Sequence, residues 1–284
     1  MKVYDCFPLF NELDLLHIRL ELLYNYVDYF IISECDSTFS GLDKPFNFEL
    51  NRNRYKKYED KIIYLQHHGT KNIDISDPQP HMSKDSYKNI LKQYNSIKNT
   101  PLTDYGKPHW CRDFLHKDYM MLGMDDCKDD DIIIFGDLDE IPNPAKLIFD
   151  GNMYTLLLKN MTYNINKELT NMTPWYGGII TPYKNVKNNS LQLLRGNRAK
   201  YNLIKDTGWH LTNMGGTNRI IEKIKSYGHQ EFNNDDIIKN VDSNTRNNRD
   251  IFNRNMTIRY IDITSYYPSN ILEFIKTNYS YLLG

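Results

Sequence analysis

The sequence is poor in cysteine, and none of it falls in a ligand pattern. Cys6, Cys35, Cys111 and Cys127 are widely spaced, with no CxxC pair and no Cys/His clustering. That excludes a zinc module and makes free thiols in the cytoplasm or another reducing compartment the expectation. Charge of one dominant sign is also missing, since 35 Lys+Arg against 36 Asp+Glu leave a net charge of −1. No global field recruits nucleic acid or an anionic membrane, so partners must be sought in local sites. Long apolar runs are absent too. Met1-Lys2-Val3-Tyr4-Asp5 meets an acid within its first residues, and neither a signal peptide nor a membrane span is expected. No internal repeat and no linker-like break in composition appears. With 284 residues, 40% hydrophobic and 25% charged, the chain reads as a soluble globular protein able to bury a sizeable core.

What is present centres on Asp130 to Pro142. Ile132, Ile133, Ile134 and Phe135 form a short apolar run, expected as a strand buried on both faces as in a parallel sheet. It runs directly into three carboxylates, Asp137, Asp139 and Glu140, before Pro142 and Pro144. In extended backbone Asp137 and Asp139 leave on the same side, where they repel unless a cation sits between them. Oxygen ligands suit a hard ion such as Mg²⁺ or Mn²⁺ that keeps positions open for phosphate oxygens. The carboxyl ends of strands are also where open α/β sheets bind ligands. A solvated turn is the competing reading of the same triplet.

Taken in order, the chain begins with an expected strand from Lys2 to Leu9. Asn11 then reads as the N-cap of a helix starting near Leu13, with an apolar stripe at Leu13, Leu16, Leu20 and Leu23. Strands are expected at Val27 to Ser33 and at Lys61 to Gln66, the first completing a βαβ unit. His67 to His109 is polar and proline-broken, with a short helix expected around Tyr87 to Ile97. A helix from Trp110 then leads into the Ile132 strand. This β-α-β-β-α-β order is the signature of a nucleotide-binding α/β sheet. Beyond Pro144, strands are expected at Met153 to Leu158, Met161 to Ile165, Trp175 to Thr181, Thr207 to Thr212 and Ile258 to Ile263. A helix carrying Ile220, Ile221 and Ile224 and a terminal helix from Asn270 to Leu282 complete the set. Asn233 to Asp250 reads as a mobile polar helix or loop.

Several ordered blocks carry a resemblance. They are Tyr4-Asp5-Cys6-Phe7, Phe10-Asn11-Glu12-Leu13-Asp14-Leu15-Leu16, Arg19-Leu20, Val27-Asp28-Tyr29-Phe30 and Thr38-Phe39-Ser40-Gly41 with Lys44-Pro45. Asp137-Leu138-Asp139-Glu140-Ile141-Pro142, Gly208-Trp209-His210, Lys223-Ile224-Lys225-Ser226 and His229-Gln230-Glu231-Phe232-Asn233 follow. From Tyr4 to about Phe252 the chain resembles glycosyltransferase family 17, the bisecting β-1,4-mannosyl-glycoprotein N-acetylglucosaminyltransferases. The resemblance implies a GT-A fold, a divalent cation, a UDP-sugar donor, transfer of N-acetylglucosamine with inversion, and a glycan or glycoconjugate acceptor. It fits one α/β domain with a donor half over about 1–142 and an acceptor half over about 143–284. The chain departs from the animal members in lacking an anchor and stem, in the polar stretch Thr70 to Asp104, and in Leu211-Thr212-Asn213-Met214 after the Trp-His pair.

Sugar transfer expels a diphosphate, whose charge a bound cation meets. Asp139 is the first choice for metal contact, with Asp137 touching ribose or the metal through water, and His210 a third ligand or a core histidine. Asn11 and Glu34, at the ends of the first two strands, are candidates for holding uridine. Arg112 and Lys117, on the helix before the acidic strand, are candidates for the diphosphate or members of a salt-bridged surface helix. Trp175 and Tyr176 offer a flat face for an acceptor sugar or for the core. Inversion needs a base near the acceptor hydroxyl, and Glu231, then Asp250, are the candidates. A nucleotidyl- or phosphoryl-transferring enzyme would share the Asp-x-Asp, but Pro8-Leu9-Phe10-Asn11 is no glycine-rich phosphate loop. A non-catalytic sugar-binding relative would need neither both acids nor His210.

Overall fold

A computed structural model describes residues 1–72, 108–171 and 174–284. The helix expected around Tyr87 to Ile97 lies outside them. Strands β1 (Val3–Leu9), β2 (Tyr29–Cys35), β3 (Ile62–His67), β4 (Ile132–Phe135), β5 (Glu140–Pro142), β6 (Tyr154–Thr162), β7 (Lys167–Thr170), β8 (Trp175–Pro182), β9 (Asn202–Ile204), β10 (Gly208–Thr212) and β11 (Thr257–Tyr260) form one mixed sheet. Its main path runs β11-β7-β6-β8-β4-β1-β2-β3. β3, β2, β1 and β4 are mutually parallel, β8 returns antiparallel to β4, and β6 is antiparallel to β8. β10 lies parallel to β6 and antiparallel to β5.

Helices flank this sheet: α1 (Leu13–Leu23), α2 (Asn47–Asn51), α3 (Pro108–Asp118), α4 (Leu191–Gly196), α5 (Thr217–Ser226), α6 (Asp235–Arg246), α7 (Ile263–Tyr266) and α8 (Ser269–Asn278). The period of two in β1 sends Phe7 and Leu9 to one face, against Leu16, Leu20 and Leu23 of α1. Tyr4 and Cys6 go to the other face, against Met120, Met124 and Leu191. The remaining face of α1, at Leu15, Ile18 and Leu22, packs on Trp209 and Leu211 of β10 and on Ile271 and Ile275 of α8. Each fully buried large aliphatic contributes about 1.5–3 kcal/mol of transfer free energy. α1 therefore joins the parallel half of the sheet to the β10 side.

The expected elements recur with shifts that have local causes. β6 runs through Lys159-Asn160, where a break was expected, because both pair with Trp209 and His210 of β10. Polar β7 escaped the apolar-run criterion. Asn11 does not cap α1: the N-cap position is Glu12, without a side-chain cap bond, and the Asn11 carbonyl instead accepts from the Leu13 N–H at 2.9 Å. Asn233 to Asp250 resolves into α6, whose start is fixed by Asn234 accepting from the Ile237 N–H at 3.0 Å. Ile263, expected at a strand end, opens α7. The four thiols are free, and no helix of the described residues is long and apolar enough to cross a membrane.

Candidate active site

β4 ends at the point where strand order reverses, with β1–β3 on one side and the antiparallel strands on the other. The crevice beside such a switch point is where open α/β sheets place ligands. The acidic triplet lies there, but not in extended backbone. Asp137 to Glu140 form a tight turn closed by the Glu140 N–H on the Asp137 carbonyl at 3.0 Å. Leu138 points into the core. The two aspartates consequently engage separate partners instead of sharing one side, which corrects the expectation from strand geometry. After the turn the chain re-enters the sheet as β5, which ends at Pro142 and pairs with β10.

Arg19 of α1 holds this turn from behind. It pairs with Asp5 of β1 through two hydrogen bonds, at 2.7 and 2.8 Å. Its remaining donor, Nη1, reaches the carbonyls of Asp137, Leu138 and Glu140 at 2.9, 3.1 and 3.0 Å. Both Arg19 and Asp5 are fully buried. A buried charge pair is stable only when its remaining donors are met, and here the carbonyls of the turn meet them. From the other side the Leu211 N–H donates to the Asp139 carbonyl at 2.8 Å. Gly136 is required by close approach: a Cβ would stand 2.7 Å from Glu140 Oε2 and 3.0 Å from the Gly178 Cα.

All three carboxylates meet a cation, and Asp137 and Glu140 share one. Asp137 pairs with Arg195 Nη2 at 2.6 Å and lies 3.5 Å from Lys117 Nζ. Glu140 accepts from the same Arg195 nitrogen at 2.7 Å and from Trp175 Nε1 at 2.9 Å. Asp139 pairs with Lys223 Nζ at 2.7 Å, and His210 Nε2 stands 3.6 Å from the same oxygen. Burial pushes the Asp139 carboxyl up, but Lys223 and His210 outweigh it and hold the group well below the usual carboxylate range. Arg195 and Lys117 do the same for Asp137 against its own burial. Both acids are ionised at neutral pH.

The donor set can be tested against a divalent cation. His210 Nδ1 is engaged by Asn160 Oδ1 at 2.9 Å, and the ring stacks on Trp175 with centroids 4.0 Å apart. These contacts aim Nε2 at Asp139, the outer support a ligating histidine needs. Among the described residues no three His, Cys, Asp or Glu side chains converge into a protein-only cage. A hard ion serving phosphate chemistry is held by one or two carboxylates plus phosphate oxygens, so Asp139 and His210 with Asp137 alongside suffice. Asp113, Asp137, Asp139 and Glu140 face Lys117, Arg195 and Lys223, and Arg198 also acts on Asp137, so these charges balance. The residues fit such an ion, provided Lys223 yields its place on Asp139.

The other expected site residues separate into those near the turn and those elsewhere. Lys117 reaches the Asp137 side from α3 and also bonds Asp113 at 2.6 Å. Arg112 projects elsewhere, donating to the carbonyls of Phe39 and Lys71 at 2.7 and 3.1 Å. Asn11, with Glu12, Asn213 and Lys223, lines a crevice at the switch point. Glu34 is fully buried and takes Lys44 Nζ at 2.7 Å, the Tyr64 hydroxyl at 2.8 Å and the Phe48 N–H at 3.0 Å. It fastens the start of α2. Trp175 is a wall of the cluster, between His210 and Glu140, and Tyr176 is half-buried with its carbonyl accepting from Arg198 Nε at 2.8 Å. Glu231 lies in an exposed turn after α5, 2.7 Å from His229 Nδ1. Asp250 is buried, clamped by Arg254 at 2.7 Å and accepting the N–H groups of Phe252 and Arg254. Arg19, Arg195 and Lys223 were not singled out as site residues from the sequence. Their only advance signal was the position of Arg19 and Lys223 within the resembling blocks.

A comparison with curated proteins returns no match. A family model does match, over residues 1–103, a span that includes β1, α1, β2 and β3 and stops short of the acidic turn. The model matched is that of Glycosyltransferase family 17, and the match supports assigning the chain to that family.

Proposed function

We propose that the protein is a metal-assisted, inverting glycosyltransferase that moves a sugar, N-acetylglucosamine in the first instance, from a UDP donor to a hydroxyl of a glycan or glycoconjugate. The observation that carries the reading is the Asp137–Glu140 turn at the sheet's switch point, pinned by Arg19 and faced by His210 Nε2. The parallel order β3-β2-β1-β4 beside antiparallel strands agrees with a GT-A-type donor half over about 1–142, followed by an acceptor half. Asn11 at the end of β1 opens on the same crevice and suits contact with the nucleoside.

In this reading Asp139 and His210 hold Mn²⁺ or Mg²⁺, with Asp137 alongside. The ion supplies electrostatic stabilisation of the diphosphate as the sugar leaves. Arg195 keeps Asp137 ionised and holds both Asp137 and Glu140 in place, so the turn is preorganised before donor arrives. Trp175 orients His210. Inversion puts the attacking hydroxyl opposite the diphosphate, so its proton must go to a carboxylate beyond the turn. Glu231 serves as that base: it is exposed and follows directly on α5, whereas Asp250 is committed to Arg254. Incubation with a panel of UDP- and GDP-sugars and Mn²⁺, without acceptor, tests the proposal. Slow nucleotide release is expected from one UDP-sugar, UDP-N-acetylglucosamine first. Release from GDP-sugars alone, or from none, contradicts it.

A further inference from the structure

Three cations surround the acidic turn, and they differ in how firmly they are held. The Lys117 side chain is 7% exposed and bonded to Asp113 as well as facing Asp137. Arg195 is 9% exposed and shared between Asp137 and Glu140, and its Nε is buried without a hydrogen-bond partner. Both are locked. Lys223 is 26% exposed and hydrogen-bonds one carboxylate oxygen, Asp139 Oδ2. That oxygen is also the one facing His210.

The backbone that presents Lys223 is fixed. One turn earlier on the same face of α5, Arg219 makes two hydrogen bonds to Asp14 of α1, one of them 2.8 Å, and Asp14 also accepts from the Tyr281 hydroxyl. Ile220 and Ile224 bury the adjacent face against Val241 and Ile251. At the helix end the Ser226 carbonyl accepts from the Ser40 N–H at 3.0 Å. A rigid helix thus carries a flexible four-carbon stem that lines the crevice shared with Asn11 and Glu12.

A divalent cation on Asp139 Oδ2 and an ammonium 2.7 Å from the same oxygen compete for that charge and repel each other. Resting on the glycosyltransferase reading above, we infer that Lys223 is a donor-binding residue. It neutralises Asp139 while the donor site is empty, then swings to an oxygen of the nucleotide diphosphate when metal takes the carboxylate. A compact point charge with three donors suits phosphate. Besides Asp139, Glu12 and Asp137 act on the Lys223 ammonium; burial pushes the Glu12 carboxyl up and Asp139 adds to the rise, with Lys223 opposing. Glu12 is the competing destination.

The inference separates two affinities that a merely structural lysine would move together. In the full chain, Mn²⁺ alone is titrated by electron paramagnetic resonance, and UDP at saturating Mn²⁺ by calorimetry. Wild type, Lys223→Met, Lys223→Gln and Lys223→Arg are compared. Lys223→Met removes the competitor for Asp139, so Mn²⁺ alone should bind about 3- to 10-fold more tightly. UDP should bind roughly 10-fold more weakly, because a charged hydrogen bond to phosphate is lost. Lys223→Gln should behave like Lys223→Met and keeps the test open if the methionine variant folds poorly. Lys223→Arg should restore UDP affinity to within about 3-fold. Tighter Mn²⁺ with unchanged UDP affinity would place the displaced ammonium on Glu12 and overturn the inference. Unchanged Mn²⁺ affinity would overturn it as well. Wild-type protein that binds neither Mn²⁺ nor UDP would instead defeat the glycosyltransferase reading itself.

Discussion

Arg19 and Arg195 are the residues on which the acidic turn depends, and neither touches the crevice. Removing Arg19 leaves Asp5 inside the sheet without its guanidinium and takes a donor away from three turn carbonyls. Breaking a buried pair in this way costs about 3–5 kcal/mol. Arg19→Met should therefore lower the urea midpoint strongly, and Arg19→Lys should recover little, since one ammonium cannot serve both the Asp5 fork and the carbonyls. A lysine variant as stable as wild type would show that the turn is held by other contacts. The sequence announced the carboxylates because a strand, two aspartates and a glutamate are contiguous. Their cations come from positions far along the chain, and no spacing rule links Asp137 to Arg195. At the base, Glu231→Gln should retain UDP affinity and lose about 10²–10⁴ in transfer rate. Wild-type transfer by that variant would return Glu231 to a surface role.

Helix α4 is short, six residues, yet it delivers Arg195 to the site. Its start is capped by Ser190, accepting from the Leu193 N–H at 3.0 Å, and by Asp118 of α3, accepting from the Gln192 N–H at 3.0 Å. Burial pushes the Asp118 carboxyl up from 3.8 to about 6, only partly offset by these hydrogen bonds. The folded state thus holds a proton that the unfolded state has already released between about pH 4 and pH 6. Stability contributed by this group falls as pH rises through that window, by up to ~3 kcal/mol. Asp139 has the opposite sign: its depressed carboxyl stabilises the fold above the ordinary carboxylate range and loses that contribution as pH falls below it. Asp118→Asn should consequently melt higher than wild type at pH 7 and match it near pH 4. A difference that does not change with pH would remove Asp118 as the titrating group. Secondary structure was legible wherever apolar residues repeat with a clear period, as in α1 and β4. Legibility failed where pairing with a distant strand decided the outcome. Lys159-Asn160 read as a break until β10 is placed beside them.

At the scale of the whole molecule, one mixed sheet brings His210 of β10 and Lys223 of α5 to Asp139 of the acidic turn after β4, and Lys223 also lines a small crevice with Asn11 and Glu12 just beyond β1. The βαβ start and the parallel order on one side follow from alternating strand and helix signals in the first half. The return strands β8, β6 and β10 carry His210 and Trp175 to the same edge by long-range pairing, which local pattern does not encode. The family match over residues 1–103 reaches this arrangement only through β1 to β3. The chemistry assigned to the crevice therefore rests on the turn itself. Its most direct test is nucleotide release from UDP-N-acetylglucosamine, measured in Mn²⁺ and again in excess EDTA, for wild type and Asp139→Asn. Release that requires Mn²⁺ in wild type and is lost in the variant is the predicted result, and undiminished release in EDTA or in Asp139→Asn would contradict it.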